Sequence, residues 1–213
     1  MKTLVDNDVL LKGACYRLLN RPITAACGAS GIGYLAAAKF VLSKRIRRAR
    51  LRGNVVEAEA ELLSFLAKHE AIETTAEEQV LAASLEAMAQ EIPVNLDTGE
   101  SQLLAVLAMR TLPALITGDK RAILAIEQLL DVMYVLAPVA GKVTCLEQLA
   151  RHAVINSDAF AVQEAICKEP EVDRALSVCF SCFSSERTVE TIVQALDSYI
   201  SDLRQKAPRT LST

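Results

Sequence analysis

The stretch that decides the fold is TLVDNDVLL, residues 3–11. Its first half is short and apolar, which predicts a buried strand over residues 3–8 that contains Asp6. The apolar residues that follow have helical spacing, which predicts a helix from Val9 to Leu19. In a parallel α/β sheet, ligands bind in the crevice outside the carboxyl ends of the strands, so Asp6 is a candidate site residue.

Two later stretches supply acids in comparable places. ALITGDK, residues 114–120, is an apolar run followed by a small polar turn and Asp119, and residues 114–118 are predicted to form a second strand. LDTGE, residues 96–100, leads into an apolar helical pattern. Acids from several strand ends can meet at one edge of a sheet, where they repel one another unless a cation or protons intervene. Hard oxygen ligands suit Mg²⁺ or Mn²⁺, so a divalent cation is the predicted cofactor.

The remaining elements follow from the same periodicities. They are a helix over 32–44, a helix with an apolar face through 58–66, a strand over 71–73, helices over 75–90, 98–110 and 123–133, a strand over 142–146, and helices beyond 147. The tail after Pro208 is expected to be loose. Alternation of strands and helices predicts an α/β fold with an open, mostly parallel sheet covered by helices.

Composition and length exclude several classes of protein. With 213 residues, 52% hydrophobic and 23% charged, the chain is globular and can form one sizeable core. A net charge of -3 gives no general signature of nucleic-acid binding, so any polyanion contact requires a local basic patch. No signal peptide or membrane-spanning stretch is recognised, which predicts a cytoplasmic protein without a membrane partner. The six cysteines lack a framework spacing and are expected to be small buried hydrophobes in a reducing compartment.

The acidic stretches resemble the motifs of the PIN-domain family, which includes the ribonuclease toxins of toxin–antitoxin pairs. LVDNDVLL, residues 4–11, is similar to the family's L-x-D-T-N-V-L-L, with Asp8 where the family usually has Asn. TAEE, residues 75–78, resembles the T-x-x-E that opens the helix after the second strand; it points to Glu78, with Glu77 as the alternative.

Two further motifs complete the resemblance. DTGE, residues 97–100, resembles the D-x-G-E helix start of one branch of the family, with Glu100 as the third acid and Asp97 as its cap. TGDK, residues 117–120, resembles the fourth-acid motif T-x-D at the end of the strand next to the first. The resemblance covers roughly residues 2 to 147, and the helices of residues 148–213 are an extension that it does not match.

The resemblance implies a three-layer fold, a central parallel sheet with helices on both faces, and metal-assisted hydrolysis of phosphodiester bonds. The implied catalytic and metal-binding residues are Asp6, Glu78, Glu100 and Asp119, supported by Asp8, Thr117, Glu77 and Asp97. Mg²⁺ or Mn²⁺ would orient and deprotonate a water molecule. Thr117 is expected to position a phosphate or a water. RNA is the implied substrate, DNA a second candidate, an antitoxin-like protein a possible partner, and a homodimer the implied assembly.

Each of these residues also has a structural interpretation. Asp97 can be a helix cap alone, and Glu77 and Glu78 can be ordinary acids in a first helical turn. A protein that has lost cleavage and only binds nucleic acid or a protein partner is therefore the alternative function.

The basic residues leave similar alternatives open. The predicted nucleic-acid contacts are Lys44, Arg45, Arg47, Arg48, Lys120 and Arg121. The run over residues 44–52 could bind an RNA backbone, meet an acidic partner, or form a solvated face paired with Glu57, Glu59 and Glu61. Lys120 and Arg121 could contact phosphate or neutralise the acids. For the glycines of residues 28–33 a flexible turn is favoured over a nucleotide site, and for the lone C-x-x-C of residues 179–182 a buried helix face over a metal.

Overall fold

Five short strands form one parallel sheet in the computed structural model, which describes residues 2–20, 25, 31–184 and 188–213. The strands are β1 (Lys2–Val5), β2 (Gly31–Leu35), β3 (Glu70–Ile72), β4 (Ala114–Thr117) and β5 (Val143–Cys145). Their order across the sheet is β3-β2-β1-β4-β5, and every neighbouring pair is parallel. The carboxyl ends of all five strands therefore lie at the same edge.

Helices cover both faces of this sheet, so the predicted three-layer α/β fold is confirmed. Those before β5 are α1 (Asn7–Tyr16), α2 (Ala38–Arg48), α3 (Val55–Lys68), α4 (Ala76–Glu91), α5 (Thr98–Met109), α6 (Lys120–Val132) and a 3₁₀ helix (Tyr134–Val139). Those after it are α7 (Leu146–Asn156), α8 (Ala159–Lys168), α9 (Arg174–Cys179) and α10 (Val189–Lys206). Among the helices described, none combines the length and the apolar character that crossing a membrane requires.

The two faces have separate apolar cores because successive side chains of a strand point to opposite sides. Leu4 lies opposite Leu115 in the register and faces a core shared with α4, α5 and α6. Val5 lies opposite Ile116 and faces a core shared with α1, α2, α3 and the helices after β5. The helices from α7 onwards thus complete the core above α1, and the expected boundary after residue 147 falls in the first turn of α7.

The prediction of a helix over residues 32–44 was wrong in its first part, because residues 31–35 form β2. Ile32 and Tyr34 point into one core, and the Tyr34 hydroxyl donates to the Leu66 carbonyl at 2.8 Å. A Cβ at position 33 would lie 2.4 Å from Cδ1 of Ile72, so Gly33 allows the close approach of β3. The strand predicted over 71–73, confirmed as β3, is therefore the third strand of the chain.

The tail after Pro208 is packed, contrary to the expectation that it is loose. Thr210 is fully buried, and its backbone N–H and hydroxyl donate to Glu127 Oε2 at 3.0 and 2.7 Å. Leu211 is buried as well and forms a parallel bridge with Val143 of β5. Because a buried carboxylate such as Glu127 needs donors, the tail is held in place by polar contacts that apolar periodicity does not reveal.

The cysteines divide into two groups. Cys15, Cys145 and Cys179 are buried and free, as expected. Cys167 and Cys182 form a disulfide, which corrects the expectation for this pair; the end of α8 and the turn after α9 bring their Cα atoms to 5.0 Å. Cys27 and most of the glycine stretch, residues 28–30, lie outside the described residues.

Candidate functional site

The acidic site lies where the strand order reverses. The chain builds β2 and β3 on one side of β1 and then returns to build β4 and β5 on the other. In open α/β sheets this switch point leaves a crevice at the carboxyl ends of the two central strands. Asp6 follows β1 and Asp119 follows β4, so both acids line that crevice.

Asp6 is the most buried of these acids. Strand β1 ends at Val5 rather than at residue 8, and Asp6 is the N-cap of α1, where its Oδ1 accepts from the Asn7 N–H at 2.6 Å. Its Oδ2 accepts from the Thr117 hydroxyl at 3.0 Å, so Thr117 supports Asp6 directly. Burial, opposed by that hydrogen bond and reinforced by the charge of Asp8, raises the pKa of Asp6 to about 6.

Asp97 and Glu100 enter the site together because they form a capping box at the start of α5. Asp97 Oδ1 accepts from the Glu100 N–H, and Glu100 Oε2 accepts from the Asp97 N–H, both at 2.8 Å. The cap interpretation of Asp97 is thus confirmed. Because the box fixes the first turn of α5, it also sets where the Glu100 carboxylate lies.

The four acids interact through their charges. Burial raises the pKa of Glu100 to about 8, with further contributions from the negative charges of Asp97, Asp119 and Asp6. A cavity of about 200 Å³ is lined by three of these acids and their neighbours: Asn95, Leu96, Asp97, Glu100, Asp119 and Arg121. Asp6 is not part of its lining and contributes through its charge. Acids from two segments of the chain therefore line one cavity, and the buried Asp6 lies near enough for its charge to act on Glu100.

Asp119 is already paired within the site. It caps α6 by accepting from the Arg121 N–H at 2.8 Å, and the Arg121 guanidinium lies 3.0 Å from its Oδ2. Burial alone would raise the pKa of Asp119, but the hydrogen bonds from Arg121 outweigh it, so the pKa is lowered. The Arg121 side chain is 73% exposed and can rotate away from Asp119 without leaving a core.

Glu78, the second predicted acid, does not join this cluster. It closes a capping box with Thr75 at the start of α4, and Arg110 donates to both of its oxygens at 2.6 and 2.8 Å. The hydrogen bond from Arg110 holds the pKa of Glu78 below its usual range. Glu77 is exposed at the same helix end, where its own backbone N–H and Thr75 lower its pKa. Both acids lie in the first turn of α4 and stabilise the start of that helix.

The strand that sequence reasoning missed explains this difference. In the PIN-domain family, which the motifs resemble, the second acid lies in the helix that follows the second strand. The corresponding helix here is α2. Its first turn contains no acidic residue, and Lys39 occupies it instead. The match of residues 75–78 to that motif therefore lies after the third strand, two strands away from β1.

Two ion pairs beside the site were not predicted. Lys12 Nζ lies 2.6 Å from Asp8 Oδ2 and 2.8 Å from Asp173 Oδ2, which ties α1 to the start of α9. A Cβ at Gly118 would lie 2.2 Å from Asp8 Oδ2, so this glycine makes room for the pair. The spacing of Asp8 and Lys12, four residues apart on a helix, was the signal available in the sequence.

Lys120 is, after Lys12, the second cation beside the site that forms an ion pair. Its Nζ lies 2.7 Å from the buried Glu147 carboxylate and 4.5 Å from the centre of the Tyr199 ring. Lys120 thus connects α6 to α7 and α10. Its predicted role as a phosphate contact would require this pair to open, whereas Arg121 remains at the rim of the crevice.

The donor set suits a hard divalent cation, although the side chains are not pre-assembled around one. Asp6, Glu100 and Asp119 offer carboxylate oxygens, the ligands that Mg²⁺ and Mn²⁺ prefer. Mutual repulsion and burial, which raise two of their pKa values, are what a bound cation would relieve. Within the described part of the chain, no three His, Cys, Asp or Glu side chains are arranged to hold a metal ion. Binding therefore requires side-chain rotation, first of all at Asp119.

Replacing Glu100 with Gln should change the pH dependence of stability. The folded pKa of about 8 lies above the usual 4.5, so the stability that this group contributes is full below pH 4.5 and is lost as the pH rises through 8. Glu100→Gln should match the wild type near pH 4.5 and exceed it by about 2 kcal/mol at pH 9, a value reduced for partial exposure. Urea unfolding in EDTA measures this, with exposed Glu91→Gln as the control. An equal difference at both pH values would contradict the coupling of the acids.

Comparison of the chain with protein-family models, curated proteins and solved structures gives no match. The likeness to the PIN-domain family consequently rests on the quoted motifs and on the arrangement of the site.

Proposed function

We propose that the crevice between β1 and β4 binds a divalent cation and that the protein is a metal-dependent nuclease acting on RNA. The observation that carries the proposal is the convergence of Asp6, Glu100 and Asp119 at the switch point of the sheet. These carboxylates would hold Mg²⁺ or Mn²⁺, with Asp97 fixing the position of Glu100. The cation would supply an activated water molecule and stabilise charge on the leaving oxygen.

The side chains around the crevice have separate tasks in this proposal. The Thr117 hydroxyl orients Asp6 by donating to Oδ2, which leaves the remaining lone pairs of the carboxylate for a ligand. Arg121, which pairs with Asp119 and lines the cavity, would be released if Asp119 held a cation and could then contact a phosphate from the rim. Repulsion among the acids disfavours the charged, empty site, and this favours a state with the cation bound.

A protein that binds without cleaving is the second candidate, and specific contacts favour it. Arg110 occupies Glu78, Arg121 occupies Asp119, and Lys39 stands in the helix where the resembling family has its second acid. A site with three acids instead of four could bind one cation and still position a phosphate. Under this alternative the partner is nucleic acid or an acidic, antitoxin-like protein.

The setting proposed for the protein is the cytoplasm, and the family resemblance implies a homodimer. Among the described residues, Cys15, Cys145 and Cys179 are buried free thiols, which suits a reducing compartment, whereas a disulfide is more typical of an oxidising one. The Cys167–Cys182 disulfide would there be exposed to reduction, so its state in cells is a check on this part of the proposal.

Cleavage of an end-labelled single-stranded RNA should occur with Mn²⁺ and stop in EDTA. The double variant Asp6→Asn/Asp119→Asn should lose at least about 100-fold in rate, because even groups that only orient metal ligands contribute 10- to 100-fold. Glu78→Gln should retain most of the activity, since this residue serves the start of α4. RNA that remains intact with the wild type and Mn²⁺, yet binds to it, would favour the second candidate.

A further inference from the structure

Helix α2 presents a basic face that has no acidic neighbour on its own segment. The sequence contains no Asp or Glu between Val9 and Val56. Ala38, Leu42 and Ile46 bury one side of α2 against the core. Four cations of α2 are exposed, and we call them the basic face: Lys39, Lys44, Arg45 and Arg48. Lys44 and Arg48 lie opposite the buried side, and Lys39 and Arg45 flank it.

The predicted nucleic-acid contacts on this helix are not equivalent. Arg47 is paired with Glu59 of α3, at 2.9 Å through Nε and 2.8 Å through its terminal nitrogen. The four cations of the basic face form no ion pair with any residue in the described ranges. Within the run over residues 44–52, Arg47 pairs with Glu59 as the interpretation of a solvated, paired face expects, and Arg52 lies 3.8 Å from Glu171 Oε1. The interpretation does not hold for Lys44, Arg45 and Arg48.

An exposed aromatic residue lies among these cations. Phe40 is 78% exposed and Val41 44% exposed. On a helix, Lys44 and Arg48 follow Phe40 at successive steps of four residues, so the three share one stripe. A ligand that matches the stripe must offer a flat apolar surface together with regularly spaced negative charges. Single-stranded nucleic acid does so, because bases stack on aromatic rings while phosphates meet Lys and Arg.

The position of α2 connects the basic face to the acidic site. Strand β2 is the parallel neighbour of β1, and α2 begins at Ala38, shortly after β2 ends at Leu35. The first turn of α2 and Asp6 thus lie at the same edge of the sheet, and α2 packs against α1, the helix that Asp6 caps. With 11 residues, α2 is about 16 Å long. A single strand of nucleic acid that lies along α2 would have one end beside the acids.

We infer that the basic face and Phe40 bind single-stranded RNA and guide it into the crevice between β1 and β4. This rests on the proposed function for the choice of RNA, whereas binding itself does not require cleavage. Phosphates contact Lys44, Arg45 and Arg48, one base stacks on Phe40, and Lys39 receives the phosphate nearest the acids.

Fluorescence anisotropy of a labelled 12-nucleotide RNA, measured in EDTA over a series of salt concentrations, tests this binding surface. Lys44→Gln/Arg45→Gln should weaken binding at least about tenfold at low salt and reduce the slope of log K against log salt by about 1.4, since each single-strand phosphate contact contributes about 0.7. Phe40→Ala should weaken binding roughly tenfold with an unchanged slope, while Phe40→Tyr, which keeps a ring, should bind like the wild type. The control Lys168→Gln/Lys206→Gln removes two exposed cations elsewhere and should change neither quantity.

The outcomes separate this inference from the proposed function. Loss of binding in the α2 variants supports the inference, whether or not Mn²⁺ produces cleavage. Equal loss in the control, or none in the α2 variants, overturns it even if the wild type cleaves RNA. Sedimentation with phosphatidylserine vesicles through the same residues, without RNA binding, would assign the basic face to an anionic membrane and also overturn it.

Discussion

Mn²⁺ titrated into the wild-type protein at pH 7.5 should bind, and the variant Asp6→Asn/Asp119→Asn should not bind measurably. Both substitutions remove a charged oxygen from the crevice between β1 and β4 while keeping an oxygen that can cap a helix. We expect the affinity to fall at least about 100-fold, more than the 10- to 100-fold that the loss of a group supporting a metal ligand produces. Isothermal titration calorimetry measures the affinity directly.

The variant should lose affinity without losing its fold. Burial raises the pKa of Asp6 to about 6, so this carboxyl contributes stability that is lost as the pH rises through 6. At pH 7.5 Asn at position 6 removes that penalty, which offsets the stabilising contacts with Arg121 that Asp119→Asn weakens, so the double variant should stay folded. A single variant, Glu78→Gln, serves as the matched control and should retain binding, because Arg110 already neutralises this acid. Lost affinity in Glu78→Gln with wild-type affinity in the double variant would reverse the assignment of the site.

Mn²⁺ should also stabilise the wild type against thermal unfolding. A ligand that binds only the folded state adds about 2.7 kcal/mol at 100 times its dissociation constant. The same concentration of Mn²⁺ should leave the melting temperature of the double variant unchanged. A rise in melting temperature for both proteins would place the cation elsewhere on the surface.

The sequence was sufficient for the parts of the fold that local chemistry determines. Strand β4 was predicted because an apolar run ends in a polar turn, and the starts of α4 and α5 because Thr75 and Asp97 each precede an acid by three residues. Capping boxes involve residues within one turn, so their spacing alone specifies them. Asp6 and Asp119, the two predicted site acids nearest the sheet, were recognised because each follows an apolar run that forms a strand.

The missed features depend on contacts distant in sequence. Strand β2 contains two glycines, which weaken a strand pattern, and the three alanines after it favour a helix. Pairing between β1 and β3 makes these residues extended. Because β2 is missed, the sequence places residues 75–78 after the second strand, whereas they follow the third. Arg110 is 32 residues from Glu78, and Asp173 is 161 residues from Lys12. No local sequence pattern indicates either ion pair. The sequence therefore predicts the acids of the site but not the residues that pair with its charged side chains.

Replacing Arg110 with Met should lower the free energy of unfolding by about 3 kcal/mol at pH 7, because it leaves the carboxylate of Glu78 buried without its cation. Arg110 holds the pKa of Glu78 below its usual value, so the pair contributes stability above pH 4.5 that is lost as the pH falls through the lowered pKa. The effect of the substitution should therefore shrink on acidification. Adding Glu78→Gln should recover roughly half of the loss, since Gln keeps the capping oxygen and carries no charge.

Urea unfolding at pH 7 and near pH 3 measures these differences, and an exposed ion pair provides the control. Arg151 and Asp197 are 40% and 48% exposed, so Arg151→Met should cost less than about 1 kcal/mol. If Arg110→Met lowers the free energy of unfolding by no more than Arg151→Met does, the Glu78 carboxylate does not depend on Arg110. Glu78 would then be available to a cation, and the four-acid site implied by the resemblance would regain its second member.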